Sequence, residues 1–345
     1  MSLVFPRDLD AWQSWQVAQH RVRHLKGRVV GNLRPPPSEW SLASNHASPQ
    51  VVVSMDTANP SALGSLIAPL HHVGDLPVAV VAPFPLDDVV AGLGLDVTPV
   101  SPGRVDGLVE GARCLVTAGQ YLPVGVATER AAQRYGRLVL MVQHGALTPY
   151  APPLPPDSTV LAWSEADGEF WRSGRNDVRV ETVGSQLLWD AGDGAVAAPD
   201  PTAGDLTYLG QGHAAELPRR RLVQAALDLC RTSGATYRPH PSERDKVSRL
   251  THAAYRRAGI VVDGSLPLNQ LTGPVVSVFS TGVLEAAAQG RAAWVDFPDA
   301  PAWLSEFWER YGMSRFGGEP TPAPTRPALA PARRIAGMLH EVAGR

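Results

Sequence analysis

The sequence predicts an α/β fold of two Rossmann-like domains facing across a cleft, and three features carry that prediction. Short, continuously apolar runs such as Val51-Val52-Val53, Val78-Ala79-Val80-Val81-Ala82 and Leu138-Val139-Leu140-Met141-Val142 alternate with segments of helical spacing. Strands that are apolar at every residue need cover on both faces, as in a parallel sheet flanked by helices. From 190 to 204 the chain is rich in Gly, Ala, Asp and Pro and loses its periodicity, after which the alternation restarts. A length of 345 residues is sufficient for two separate cores.

Taken in order, Asp8 is suited to cap a helix over 8–25, with Leu9, Trp12, Trp15, Val22 and Leu25 on one side and Arg21, Arg23 and Lys26 on the other. Packing against the domain is the preferred role for that helix over lying on a membrane surface. A strand over 50–55 precedes Asn59-Pro60, an N-cap and first-turn proline for a helix over 61–70. Strands follow over 78–82, 114–117 and 137–142, with a helix over 124–135 between the last two. A strand over 158–163, a helix over 165–172 and a strand over 178–183 complete an N-terminal domain, 1–190. Beyond the linker the rhythm gives strands over 206–209, 235–238, 260–262, 274–279 and 292–295. Helices over 216–232, 242–258, 266–271 and 281–289 separate them in a C-terminal domain, 205–318. A Pro-rich connection from Glu319 to Pro331 and a helix over 332–343 form the last segment, 319–345.

Lys and Arg number 31 against 33 Asp and Glu, so no basic field points to nucleic acid as a partner. Cys114 and Cys230 form neither a CxxC pair nor a Cys/His cluster, which fits a reduced, cytoplasmic protein with both thiols in cores. No apolar run approaches the length needed to span a bilayer. Trp303, Phe307, Trp308 and Tyr311 fit either packing of the C-terminal helix or peripheral contact with the inner face of a membrane.

Chemistry-bearing residues gather where strands end. Ser280-Thr281-Gly282 opens a helix directly after the strand over 274–279, so backbone N–H groups and the helix dipole favour an anion there. Ser280 is placed as N-cap, Gly282 allows close approach of a phosphate, and Glu285, one turn in, is placed for ribose hydroxyls. Tyr237-Arg238-Pro239-His240-Pro241-Ser242-Glu243 ends an earlier strand. His240, held between two prolines, fits donation to a departing diphosphate or a structural turn. Arg238 offers a bidentate phosphate contact unless it faces away from the cleft, and Ser242 is placed to cap the next helix, with Asp245 three residues on.

Gln143-His144-Gly145 ends the strand over 137–142, where His144 fits a general base for an acceptor hydroxyl or a cap on the strand. Gly145 and the prolines from 149 to 156 make a rigid loop. Asp56 and Thr57, with Asn59, follow the strand over 50–55 and fit acceptor contacts or helix capping. Asp8-Leu9-Asp10 lies at a helix start rather than a strand end, so no metal is assigned to it. His71, His72 and His252 read as surface. There is no P-loop, Gly-x-Ser-x-Gly elbow or Gly-x-Gly-x-x-Gly fingerprint.

With His144-Gly145, Arg238-Pro239-His240-Pro241, Ser280-Thr281-Gly282 and Glu285-Ala286 in this order, the chain resembles the GT-B superfamily of glycosyltransferases. Within it the pattern is similar to the CDP-glycerol glycerophosphotransferases of teichoic-acid synthesis and to the CMP-sugar-dependent capsule transferases (polysialyl- and Kdo-transferases). The resemblance covers about 140 to 296. It implies His144 as base, His240 on the donor phosphates, and Ser280 and Thr281 holding them. Where the glycerophosphotransferases continue His-Gly-Thr-Pro, this chain has His144-Gly145-Ala146-Leu147-Thr148-Pro149. Where they carry an Asp-Tyr-Ser-Ser type loop, it has Phe279-Ser280-Thr281-Gly282, closer to sugar transferases.

The resulting expectation is an inverting, metal-independent transferase with no cofactor. It would move a sugar or polyol phosphate from a CDP-, CMP- or UDP-linked donor to a glycan or lipid-linked acceptor of the cell surface, with His144 and His240 facing one gap. The alternatives are a non-hydrolysing UDP-sugar 2-epimerase and a nucleotide- or glycan-binding protein without turnover.

Overall fold

The computed structural model describes residues 2–19, 39–193, 204–212 and 214–344. Positions 20–25 of the predicted first helix and most of the predicted linker lie outside them. The chain forms two compact units, the larger from Ser2–Leu187 with Pro327–Arg345 and the smaller from Leu188–Arg326. Each is a Rossmann-like α/β structure.

The larger unit contains β1 (Trp40–Ser44), β2 (Val51–Ser54), β3 (Val78–Ala82), β4 (Asp96–Val100), β5 (Cys114–Thr117), β6 (Leu138–Val142), β7 (Thr159–Ala162) and β8 (Arg179–Thr182). They make an eight-stranded sheet in the order β4-β1-β3-β2-β5-β6-β7-β8. From β3 to β8 all neighbours are parallel, with Val53 in register with Val80 and Val116. Because the side chains of β2 alternate, Val51 and Val53 join a core with Leu66, Leu70, Ile335 and Leu339, whereas Val52 joins one with Val105, Val109, Val124 and Ala131. Helical segments therefore cover both faces, as the continuously apolar strands require. The first is irregular: an α turn at Pro60–Ala62 continues as a π stretch, Leu63–Ile67, and a 3-10 stretch, Ala68–His72. Asn59 caps it as predicted, its side-chain oxygen accepting from Ala62 N at 2.8 Å.

Asp8 likewise caps the helix Leu9–Gln19, accepting from Ala11 N at 2.8 Å. This helix packs on its own unit: Trp12 donates to the Tyr150 carbonyl at 2.7 Å, and Trp15 stacks on Tyr150 at 4.7 Å. The C-terminal helix Pro331–Ala343 returns to the larger unit, where Ala332 N donates to the Gln186 side chain at 2.8 Å.

The smaller unit has a four-stranded parallel sheet of β9 (Thr207–Leu209), β10 (Thr236–Arg238), β11 (Val275–Ser277) and β12 (Ala293–Val295), in the order β10-β9-β11-β12. The predicted strand over 260–262 is reduced to a single bridge between Val262 and Tyr237, and the helix over 266–271 to a 3-10 turn, Leu268–Gln270. Trp303, Phe307, Trp308 and Tyr311 belong to the smaller unit. They seat the helix Ala302–Arg310 on the end of β11, Trp308 donating to the Val278 carbonyl at 2.7 Å and Trp303 meeting Phe279 at 5.7 Å.

Strand order reverses once in the larger unit, between β2 and β5, and once in the smaller, between β9 and β11. At such a reversal the loops leave in opposite directions and open a crevice at the carboxyl ends of the strands. Both cysteines are buried free thiols, and burial pushes each up to about 12. No helix among the described residues is long and apolar enough to cross a membrane.

Close packing at the larger unit's reversal depends on Gly125. A Cβ there would lie 2.1 Å from the Gly119 carbonyl oxygen, whereas one at Gly107 would meet nothing within 4 Å. Urea unfolding should therefore show Gly125→Ala destabilising by about 3 kcal/mol. Gly107→Ala, on an exposed helical surface, should stabilise by about 0.5 kcal/mol. Equal effects would show that Gly125 is not a steric requirement.

Candidate functional site

In the smaller unit two side chains hold the strand ends together. The Gln211 Oε1 atom accepts from Phe279 N at 2.8 Å and from the Ser277 hydroxyl at 3.1 Å, tying the loop after β9 to the loop after β11. Glu243, buried, ties the loop after β9 to the loop after β10. Its carboxylate accepts from Gly212 N at 3.0 Å, from His240 N at 3.4 Å and from the Tyr237 hydroxyl at 2.9 Å, and lies 2.9 Å from His252 Nε2. His252 is thus buried against a carboxylate rather than on the surface. The helix carrying it turns His252 and Tyr255 inward, both against the Tyr237 ring. Gly210 is required by the same cluster, since a Cβ there would sit 2.3 Å from the Tyr237 hydroxyl.

This frame positions His240. Ser242 N donates to His240 Nδ1 at 3.1 Å, so in the neutral ring the proton sits on Nε2, which can donate to an oxyanion. Burial lowers its pKa from 6.5, with Glu243 opposing and Arg238 reinforcing the shift. Ser242 does not cap the next helix. That helix begins later, at Lys246, because Asp245 accepts from Val247 N at 2.8 Å and Ser248 N at 3.0 Å. Arg238 is half-buried with Nε and Nη2 both on the Leu266 carbonyl, at 3.3 and 3.1 Å, so those two donors are committed within the protein.

Ser280 is the N-cap of Thr281–Ala288 as predicted, its hydroxyl accepting from Gly282 N at 3.1 Å. Its own N–H has no acceptor among the described residues. Gly282 serves packing first: a Cβ there would come within 2.7 Å of Leu268 and 2.8 Å of Leu209. The Glu285 side chain, half-buried, has no hydrogen-bond partner among the described residues. Burial raises its pKa above 4.5, against the pull of Arg291 and Arg238. The smaller unit therefore brings a donor imidazole, a helix start with an uncharged cap and an unpaired carboxylate to the carboxyl side of its sheet.

In the larger unit a recess open to solvent lies at the β2/β5 reversal and is lined by Ser54, Asp56, Thr57, Thr117, Tyr121 and His144, among others. Asp56 is a cap, though not of the helix that follows it in sequence. Its oxygens accept from Val124 N and Gly125 N, each at 2.9 Å, at the start of Pro123–Arg134. Burial raises its carboxyl above 3.8 even though both amide bonds pull it down. Thr57 is exposed and accepts from the Asn59 amide at 3.4 Å.

The end of β6 is fixed by Gln143 rather than by His144. The Gln143 side chain accepts from Trp163 N at 2.8 Å and donates to the Gly145 carbonyl and to Asp167, both at 3.1 Å. The His144 imidazole makes no hydrogen bond among the described residues, and burial lowers its pKa below 6.5. Neutral at physiological pH and unpaired, it can accept a proton. Among the described residues, no group of three or more His, Cys, Asp or Glu side chains is placed to hold a metal ion.

Gln211, Glu243 and His252 were not legible as functional. A Gly-x-Gly after a strand (Gly210-Gln211-Gly212) and the acidic residue three positions after His240 were the available signals.

No family model and no curated protein matches the chain. Among solved structures it is similar to HepE of Anabaena in complex with UDP and glucose, with 14% identity over 85% of this chain and 89% of that one and a TM-score of 0.46. It is also similar to the pneumococcal O-GlcNAc transferase GtfA in complex with UDP and GlcNAc, with 10% identity over 71% and 53% and a TM-score of 0.38. MurG of Acinetobacter baumannii gives 12% identity over 85% and 92%, with a TM-score of 0.38.

Truncating Glu243 would leave the Gly212 and His240 amides, the Tyr237 hydroxyl and His252 without their shared partner. Each buried unpaired donor costs about 1–3 kcal/mol, so Glu243→Ala should lose about 3 kcal/mol or more in chemical denaturation. A loss under about 1 kcal/mol would mean that water replaces the carboxylate and that it is no hub.

Proposed function

We propose that the chain is a GT-B-type transferase that binds a nucleotide-activated donor in its smaller unit and an acceptor in its larger one. The reaction moves a sugar or polyol phosphate to a cell-surface glycan precursor of the teichoic-acid or capsule type. The observation that carries this reading is the placement of the His240 imidazole, the Ser280 helix start and the Glu285 carboxylate on the carboxyl side of the smaller unit's sheet. A diphosphate needs hydrogen-bond donors and a ribose needs an acceptor, and this side of the sheet carries both.

In the proposed step His144 takes the proton of the acceptor hydroxyl. The acceptor oxygen forms its bond to the transferred group as the bond from that group to the donor phosphate breaks. The electron pair leaves with the nucleotide phosphate, whose charge the His240 Nε2–H and the helix start at Ser280 and Thr281 stabilise. Arg238 adds positive field rather than a bidentate grip. No metal is assigned a part, so chelator should leave turnover unchanged. A cytoplasmic location follows from a nucleotide-activated donor, and a lipid-linked acceptor would place the protein against the inner face of the membrane.

Isothermal titration with UDP, CDP and CMP, followed by turnover assays on an acceptor panel, tests the assignment. His240→Ala should weaken nucleotide binding about tenfold or more. His144→Ala should leave nucleotide binding intact and lower turnover by about a hundredfold or more. Binding by none of the nucleotides, or equal loss in both variants, would contradict the division of labour. Interconversion of UDP-GlcNAc without acceptor would assign a 2-epimerase instead.

The pH profile follows from His144. As a base it must be neutral, and burial lowers its pKa from 6.5, so kcat/KM should fall only as pH drops through a value below 6.5. An acid limb centred above 6.5 would remove His144 from the base role.

A further inference from the structure

Both units present a helix start at their strand reversal, and the chain treats them differently. In the smaller unit the cap at Ser280 is a neutral hydroxyl. In the larger unit the Val124 and Gly125 amides are taken by the Asp56 carboxylate, at 2.9 Å each. Pro123 has no N–H, and Val126 N donates to the Leu122 carbonyl at 2.8 Å, so the first turn has no amide left for an anion. Asp56 also lines the recess, so a phosphate entering there meets a fixed negative charge, and no amide of that first turn is left to hold it.

The floor of the same recess asks for a hydroxyl. Ser54 lines it, is 1% exposed, and its Oγ has no hydrogen-bond partner. An unpaired buried hydroxyl is costly, and a ligand hydroxyl, which both donates and accepts, can satisfy it. The Thr57 and Tyr121 side chains line the recess too, uncharged and capable of the same exchange. His144, also in the lining, is the group able to take a proton from such a hydroxyl.

We infer that this recess binds an uncharged, hydroxyl-bearing group, a sugar or polyol end, and that Asp56 is the specificity residue that excludes a phosphorylated one. The inference rests on the transferase reading only in naming this group the acceptor. The excluded alternative is an acceptor entering phosphate first. Like charges brought together repel, and the exclusion needs only part of that repulsion.

The test is direct binding to the full-length, nitrogen-15-labelled protein, read at the Val124 and Gly125 amides, with matched probes: glucose against glucose 6-phosphate and glycerol against glycerol 3-phosphate. The unmodified chain should show saturable shifts with the neutral member of a pair and bind its phosphate about tenfold more weakly or not at all. In Asp56→Asn, which keeps the size and one acceptor oxygen, the preference should shrink or reverse. Inorganic phosphate should shift these amides in Asp56→Ala but not in the unmodified chain. Phosphate esters binding as well as the neutral probes, or no saturable shift with either neutral probe, would overturn the inference. So would a preference unchanged in Asp56→Asn. If Asp56→Ala fails to fold, the unmodified chain and Asp56→Asn still decide. Neither nucleotide nor turnover enters this readout, so its failure leaves the donor assignment standing, and failed nucleotide binding would leave this result standing.

Discussion

A helix that begins at the end of a strand exposes backbone N–H groups that must find acceptors, and the chain solves this problem twice in different ways. In the larger unit it supplies its own carboxylate, and the anion site is closed from within. In the smaller unit it supplies only a hydroxyl and adds no negative charge at the helix start. In the proposed reading these choices divide anionic from neutral chemistry between the units, with His240 and Glu285 on the proposed donor side and His144 on the proposed acceptor side.

Precision at the smaller unit's crevice comes from polar groups packed behind it. Gln211 and Glu243 touch three loops between them and set their relative positions through backbone amides, a firmer connection than contacts between flexible side chains. Tyr237 and His252 complete the hydrogen bonding of Glu243, so its burial is balanced by partners on several elements. The nearby glycines serve this closeness. Gly210 makes room for the Tyr237 hydroxyl, and Gly282 lets its helix lie against Leu209 and Leu268.

Much of the parallel framework was legible in the sequence, because a strand buried on both faces writes itself as an unbroken apolar run. Strands β2, β3 and β5 to β7 fall within the predicted segments for that reason, whereas β8, an edge strand of alternating exposure, was placed by the rhythm of the elements. The antiparallel pair β1 and β4 did not, since both carry polar residues and β4 contains Pro99, a residue tolerated on an edge strand. The helix Pro102–Gly111 was hidden by its three glycines, and Gln186–Asp193 by the composition change of the segment beside it. At the candidate site, residues that act through their own position in a loop, such as His240 and Ser280, could be found by motif. Asp56 and Glu243 could not be assigned their partners, because each bonds to a segment 31 or more residues away in the chain. Gly282 was read as a ligand-approach residue, although what it most closely makes room for is leucine.

The most direct test of the division between the units is hydrogen–deuterium exchange of the full chain with and without UDP or CDP. The account predicts slowed exchange in peptides covering 209–212, 239–244 and 279–286. Those covering 54–57, 119–125 and 143–146 should exchange as before. Protection of 119–125 or 143–146 by nucleotide, with 239–244 and 279–286 unaffected, would place the phosphates on the wrong helix start and contradict the account.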